Sequence, residues 1–196
     1  MKDEFLRRLP ATATEERQMV EQAFGIPRTV AEKKAAILSD ARLKDEAKAA
    51  DIKAMARAAP LQHLRQIRQR AANMTADVQN ARLAMAPKRD KDGEADRREI
   101  RDAVIRELPA EHRLRRMLEN PTIAEAFLLA PDPVVSGLSD EQFETVRQTY
   151  TEKKFGDKLR AVEKREEVIE TLDAAIRVAT SQFQRETGIA ENEIES

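Results

Sequence analysis

Residues 139–187 read SDEQFETVRQTYTEKKFGDKLRAVEKREEVIETLDAAIRVATSQFQRET, and the spacing of their apolar residues decides the fold. Phe155, Val162, Ile169, Ile176 and Phe183 recur at seven-residue intervals, flanked by Leu159, Val168, Leu172 and Ala179. Seven residues are close to two helical turns, so these side chains fall on one stripe. Glu166 and Asp173 interrupt the repeat, and the resulting broad stripe suits a bundle better than a free two-stranded coiled coil. Ser139-Asp-Glu-Gln142 has the form of a capping box, in which the hydroxyl and the glutamine each satisfy a backbone N–H of the other residue. Gly156 marks a local weakness and Gly188 a stop. The pattern predicts one helix over 139–188, about 70 Å long if straight at ~1.5 Å per residue.

Working outward, residues 29–86 form a second long helical stretch. It opens on a capping box at Thr29-Val-Ala-Glu32 and carries Val30, Ile37, Leu38, Ala41, Ile52, Met55 and Ala56. Pro60 is expected to kink or break it, since proline removes a backbone donor and crowds the preceding turn. Beyond Pro60, Ile67, Ala71, Met74, Val78, Ala81 and Met85 alternate in steps of four and three, a heptad-type seam. Residues 1–28 predict a short helix from a capping box at Thr12-Ala-Thr-Glu15 to Gly25, with Met19, Val20, Ala23 and Phe24 on its apolar side. A turn at Gly25-Ile-Pro27-Arg28 follows.

Residues 87–138 are choppier. A polar loop from Pro87 leads to a helix over Glu94–Leu108, then to a piece holding Leu114, Met117 and Leu118 that ends near Asn120. A third piece begins at Pro121, a residue suited to the first helical turn, and carries Ile123, Phe127 and Leu128. Pro131-Asp-Pro133 blocks continuation. Residues 189–196, with Glu191, Glu193 and Glu195, read as a solvated acidic tail. The expected fold is all-α: an elongated helical hairpin or bundle of two long stretches with short helices between them.

Two fates are open to the seam residues Ile67, Met74, Val78, Met85, Phe155, Leu159, Val162, Ile169, Ile176 and Phe183. They can bury against each other inside one subunit, or carry a contact with a neighbouring copy. Aromatic residues make up only 4% of the chain, so a lone subunit has a narrow core and self-association is expected.

Chemistry is scarce. There is no cysteine, hence no disulfide, thiolate metal site or cysteine nucleophile. The five glycines stand apart, so no phosphate-cradling loop exists, and His63 and His112 lack metal-ligand spacing. Neither an enzyme nor a cofactor is expected. No signal core and no run of about 18 apolar residues is present, which points to the cytoplasm or a particle assembled there.

Charge is unevenly spread: residues 57–116 hold 15 Lys/Arg against 9 Asp/Glu, and residues 117–196 hold 9 against 17. Pairing of these sections within or between subunits is one reading. Phosphate contact by Arg65, Arg68, Arg70, Lys88 and Arg89, with Lys91, is another. Against the second, no aromatic lies between Phe24 and Phe127 to stack on exposed bases.

Ala126-Phe-Leu-Leu-Ala-Pro131-Asp-Pro, then Val135-Ser-Gly-Leu-Ser139-Asp-Glu, then a long charged helix, resembles small helical proteins of tailed-bacteriophage structural modules. The resemblance covers about residues 123–180 and brings no catalytic residue. It implies a virion or head/neck assembly component, partnered by itself or by other virion proteins. A nucleic-acid-associated regulator or packaging accessory is the alternative that the basic section supports.

Overall fold

The computed structural model describes residues 1–90, 92–130 and 133–195. Lys91 of the basic section, Pro131 and Asp132 of the expected break, and Ser196 of the tail lie outside the described residues. The chain is all-α, and no strand occurs among the described residues. It folds as two compact units: Met1–Val78 with Lys164–Ser196, and Gln79–Glu163. The helices are α1 (Lys2–Arg8), α2 (Thr14–Ser39), α3 (Asp45–Arg57), α4 (Ala59–Leu83), α5 (Glu94–Glu107), α6 (Ala110–Glu119), α7 (Pro121–Leu128), α8 (Asp140–Thr187) and α9 (Glu191–Glu195). A 3-10 turn spans Pro133–Ser136.

The first unit is organised by the apolar faces of α2, α4 and α8. Met19, Val20, Ala23 and Phe24 of α2 meet Ile67 and Ala71 of α4 and Leu172, Ala175, Ile176 and Ala179 of α8. One step along, Val30 meets Leu61, Leu64 and Phe183. As α2 advances, its partners descend in number on α4 and ascend on α8. Thus α4 runs antiparallel to α2, and α8 runs parallel to it. Two ion pairs hold the α2–α8 register at either end, Glu16 with Arg165 and Lys34 with Glu186 at 3.1 Å. The Glu16 side chain is only 3% exposed, while Arg165 keeps 41%. Fully buried alanines at 23, 56, 175 and 179 let helices approach closely in a core with few rings.

This unit corrects three expectations. Helix α2 does not stop at Gly25 but runs on through Pro27. Its buried positions 19, 20, 23, 24, 27 and 30 keep helical spacing across the proline, and burial of that face offsets the roughly 3 kcal/mol that an interior proline costs. Helix initiation at Thr12 or Thr29 is therefore not needed; α2 begins after Ala13 without a side-chain cap. The stretch 29–86 is not one helix kinked at Pro60. It breaks after Ser39, where the Asp40 carboxylate accepts from the Arg42 N–H at 2.9 Å, a local bond that competes with helix. It breaks again at Ala58, whose ψ of −128° is non-helical, and Pro60 sits in the first turn of α4, where its missing donor is harmless. Residues 189–195 are docked: Ile189 and Ile194 are buried, and Glu193 pairs with Arg57 at 2.8 Å.

The second unit gathers α5, α6, α7 and the first part of α8. Val104, Met117, Ala124, Phe127, Val146 and Tyr150 form its core, with Phe155 packed against it. The expected boundaries at Pro121 and Ser139 have the anticipated chemistry. Asn120 accepts from the Thr122 N–H at 2.9 Å, and Ser139 and Gln142 form the reciprocal box, with N–H donors at 3.0 and 3.3 Å from the side-chain oxygens. Helix α8 leaves helical geometry at Phe155 (φ −131°, ψ 17°), beside Gly156. It ends at Gly188, whose φ of +66° is the left-handed conformation glycine adopts without strain.

Buried charge is concentrated at one place in this unit. Arg101, 5% exposed, donates to the Ala126 carbonyl at 2.8 Å and to the Glu94 carboxylate at 2.6 Å. The hydrogen bond from Arg101 holds Glu94 below the ordinary carboxylate range. Asp90 is held down by the Gly93 N–H and then by Arg97.

Two outcomes follow from this packing. Arg165→Met leaves a buried carboxylate uncompensated and should destabilise the first unit by about 3 kcal/mol, the low end for a broken buried pair because Arg165 is partly exposed. Adding Glu16→Gln should recover most of that loss in urea titrations followed by circular dichroism; an unchanged single variant would show that the pair contributes nothing. In the second unit, carboxylates with lowered folded pKa values stabilise above their unfolded pKa of about 4 and lose that effect as pH falls through the folded values. Tyr150, the chain's one tyrosine, is buried there. Its fluorescence should report a lower urea midpoint at about pH 3 than at about pH 7, and equal midpoints would remove the carboxylate network from the account.

Candidate interaction groove

Helical periodicity places Gln22, Gly25, Ile26, Thr29 and Lys33 on one face of α2, and Ala59, Pro60, His63, Gln66, Ile67 and Arg70 on one face of α4. These residues line a groove of about 620 Å³ in the first unit. No residue of α8 lines it, since the buried faces of α2 and α4 are turned toward that helix. The groove's apolar lining comes from half-buried Ile26 and Pro60 and from Ile67, which is mostly covered by the core. The antiparallel course of α2 and α4 sets Lys33 toward the Ala59–Pro60 end and Arg70 toward the Gln22 end, with His63 between them.

Two properties set this groove apart. The first is steric: a Cβ added at Gly25 would meet nothing within 4 Å, so the helix backbone itself forms part of an open wall. The second is electrostatic. No aspartate or glutamate lines the groove, and among the described residues neither Lys33 nor Arg70 forms an ion pair.

Several other basic residues are engaged within the fold, some of them at helix C-termini, where carbonyls lack intrahelical donors. Arg17 donates to the carbonyls of Leu6 and Leu9, Lys48 to Leu38, Arg113 to Ile105 and Leu108, and Lys153 to Leu118 and Glu119. Lys154 joins Glu125 at 2.6 Å and the Tyr150 hydroxyl at 2.7 Å. Burial opposes the charge of Glu125, and the Lys154 and Tyr150 hydrogen bonds outweigh it, so its pKa is lowered.

The residues proposed for phosphate contact are dispersed among these roles. Arg65 donates to the Glu193 carbonyl, and Arg68 is engaged within the protein. Arg89 donates to the Ala130 carbonyl at 3.3 Å. Arg70 lies in the groove, and Lys88 is exposed in the second unit. Among the seam residues, Ile67, Val78, Met85, Ile169, Ile176 and Phe183 are buried. Met74 packs at the edge of the first core and Phe155 at that of the second, while Leu159 and Val162 are half-buried. His63 and His112 are exposed. Among the described residues no cluster of three or more His, Asp or Glu could hold a metal ion, and no helix is long and apolar enough to cross a membrane.

Reading by sequence missed the groove because it ended a helix at Gly25. The available signal was the apolar spacing that continues through Pro27 to Val30. Comparison with protein-family models, with curated proteins and with solved structures finds no match to this chain.

Gly25→Ala should raise stability by about 0.5–1 kcal/mol, because alanine loses less backbone freedom in a helix and the added methyl meets open space. A lowered melting temperature would show that the space at Gly25 is not free.

Proposed function

We propose that this chain is a non-enzymatic structural protein that assembles through helical surfaces, as a component of a bacteriophage virion or its head/neck assembly. The observation that carries the contact reading is the α2–α4 groove: an open trough at the edge of the first core, lined by exposed cations and no carboxylate. Such a surface supplies binding area and charge. The virion setting rests on the resemblance over residues 123–180.

Engagement of Arg65, Arg68, Arg89 and Arg113 inside the protein weakens the case for a phosphate-binding stripe, because a nucleic-acid contact would have to displace those bonds. Assembly by helical surfaces makes no such demand. Apolar contact would provide the affinity, and surface charge would set orientation and rate of encounter.

Light scattering on a sizing column, at low and high salt, tests the reading. The expected result is a discrete mass that is a multiple of 22.2 kDa, with partial loss in high salt as exposed charges are screened. A 22.2 kDa species at every concentration would remove self-assembly from the proposal.

A further inference from the structure

We propose that the α2–α4 groove is a docking site for an acidic amphipathic helix supplied by a partner polypeptide. The inference rests on the assembly reading and names the contact and the chemistry of its occupant.

Length comes first. From Gln22 to Lys33 the α2 wall rises roughly 16 Å, three helical turns. A trough of that length between two antiparallel helices matches a third helix laid along it, the arrangement in which an amphipathic segment anchors apolar residues at helical spacing. Gly25 and Ala59 keep the walls low, so the incoming backbone can approach closely, and half-buried Ile26 and Pro60 offer the apolar surface on which its stripe would sit.

Charge then selects the sign of the occupant. Lys33 marks one end and Arg70 the other, His63 lies between them, and no carboxylate is among the lining residues. A helix carrying glutamates or aspartates about three turns apart would meet a cation at each end. A basic helix would meet uncompensated like charge, the repulsive element that gives an interface its specificity.

Exposure decides between a helix and a small molecule. Lys33, Ala59, His63 and Arg70 are all exposed, so the trough cannot enclose a small ligand to the 70–90% or so that such sites commonly reach. A helix needs only one face covered. The chain's own acidic C-terminal segment is not the occupant. Ile189 and Ile194 are buried in the core, and Glu193 is tied to Arg57 and Arg65, neither of which lines the groove.

The test is fluorescence anisotropy of the full chain with two labelled designed helices of roughly 18 residues, a length that favours stable helix. Both carry the same leucine–alanine stripe; one is flanked by glutamates and the other by lysines. The acidic helix should bind at least about tenfold more tightly, a difference of about 1.4 kcal/mol, and more weakly in high salt. Gly25→Tyr should abolish binding with helicity unchanged, and Gly25→Ala should retain it. The double variant Lys33→Glu/Arg70→Glu, altered only at exposed positions, should reverse the preference; it keeps the test available if Gly25→Tyr fails to fold.

Equal binding of both helices, no binding of the acidic helix up to ~1 mM (about −4 kcal/mol), or unchanged binding by a folded Gly25→Tyr variant would overturn the proposal. If the chain is an oligomer and the double variant dissolves it, the occupant is a second copy and the assignment to a different partner falls. An oligomer that persists while the acidic helix fails to bind overturns this inference alone and leaves the assembly reading standing.

Discussion

The apolar stripe of α8 from Ile169 to Phe183 is the constraint on which the first unit depends. Ile169, Leu172, Ile176, Ala179 and Phe183 are all buried, and the stripe meets α2 and α4 at two successive levels. Burying side chains of this size is worth roughly 1.5–3 kcal/mol each. The ion pairs at Glu16–Arg165 and Lys34–Glu186 then select one register among those the stripe would allow. Their own net contribution is smaller, because the buried carboxylate must be stripped of water.

Charge in this protein is mainly a structural material. Arginine and lysine side chains reach back to carbonyls at the ends of α1, α2, α5, α6 and α7, so short helices that lack long ladders gain partners for their exposed C-termini. Arg101 joins the loop-proximal start of α5 to the end of α7 through two hydrogen bonds. A high proportion of charged residues, 36% of the chain, thus coexists with a small core. Viewed as a list, the same arginines suggest a phosphate-binding surface. Viewed with their partners, several of them, among them Arg65, Arg89 and Arg113, are engaged with backbone carbonyls.

The groove between α2 and α4 is the exception to that economy of charge. Its cations have no acidic neighbour in the lining, and its central wall is a glycine with open space above it. Both features arise from one event, the continuation of α2 through Gly25-Ile-Pro27. Had the helix turned there, Lys33 would not share a face with Gln22 and Thr29, and no trough of three turns would exist.

By itself the sequence determined the all-α class, the extent of α5, the end of α6, the start of α7, the capping box at Ser139 and the stop at Gly188. Each of these rests on short-range chemistry: helical periodicity, proline at a first turn, a side chain bonding a nearby N–H, or glycine at positive φ. Tertiary structure decided the rest. Passage of α2 through Pro27 depends on burial on both sides of it, which outweighs a local penalty. The docking of Ile189 and Ile194 depends on a core assembled from distant segments, and the fate of each arginine depends on which carbonyl or carboxylate the fold brings within reach. The groove belongs to this second class, because a surface shared by two helices exists only once their faces have been set side by side.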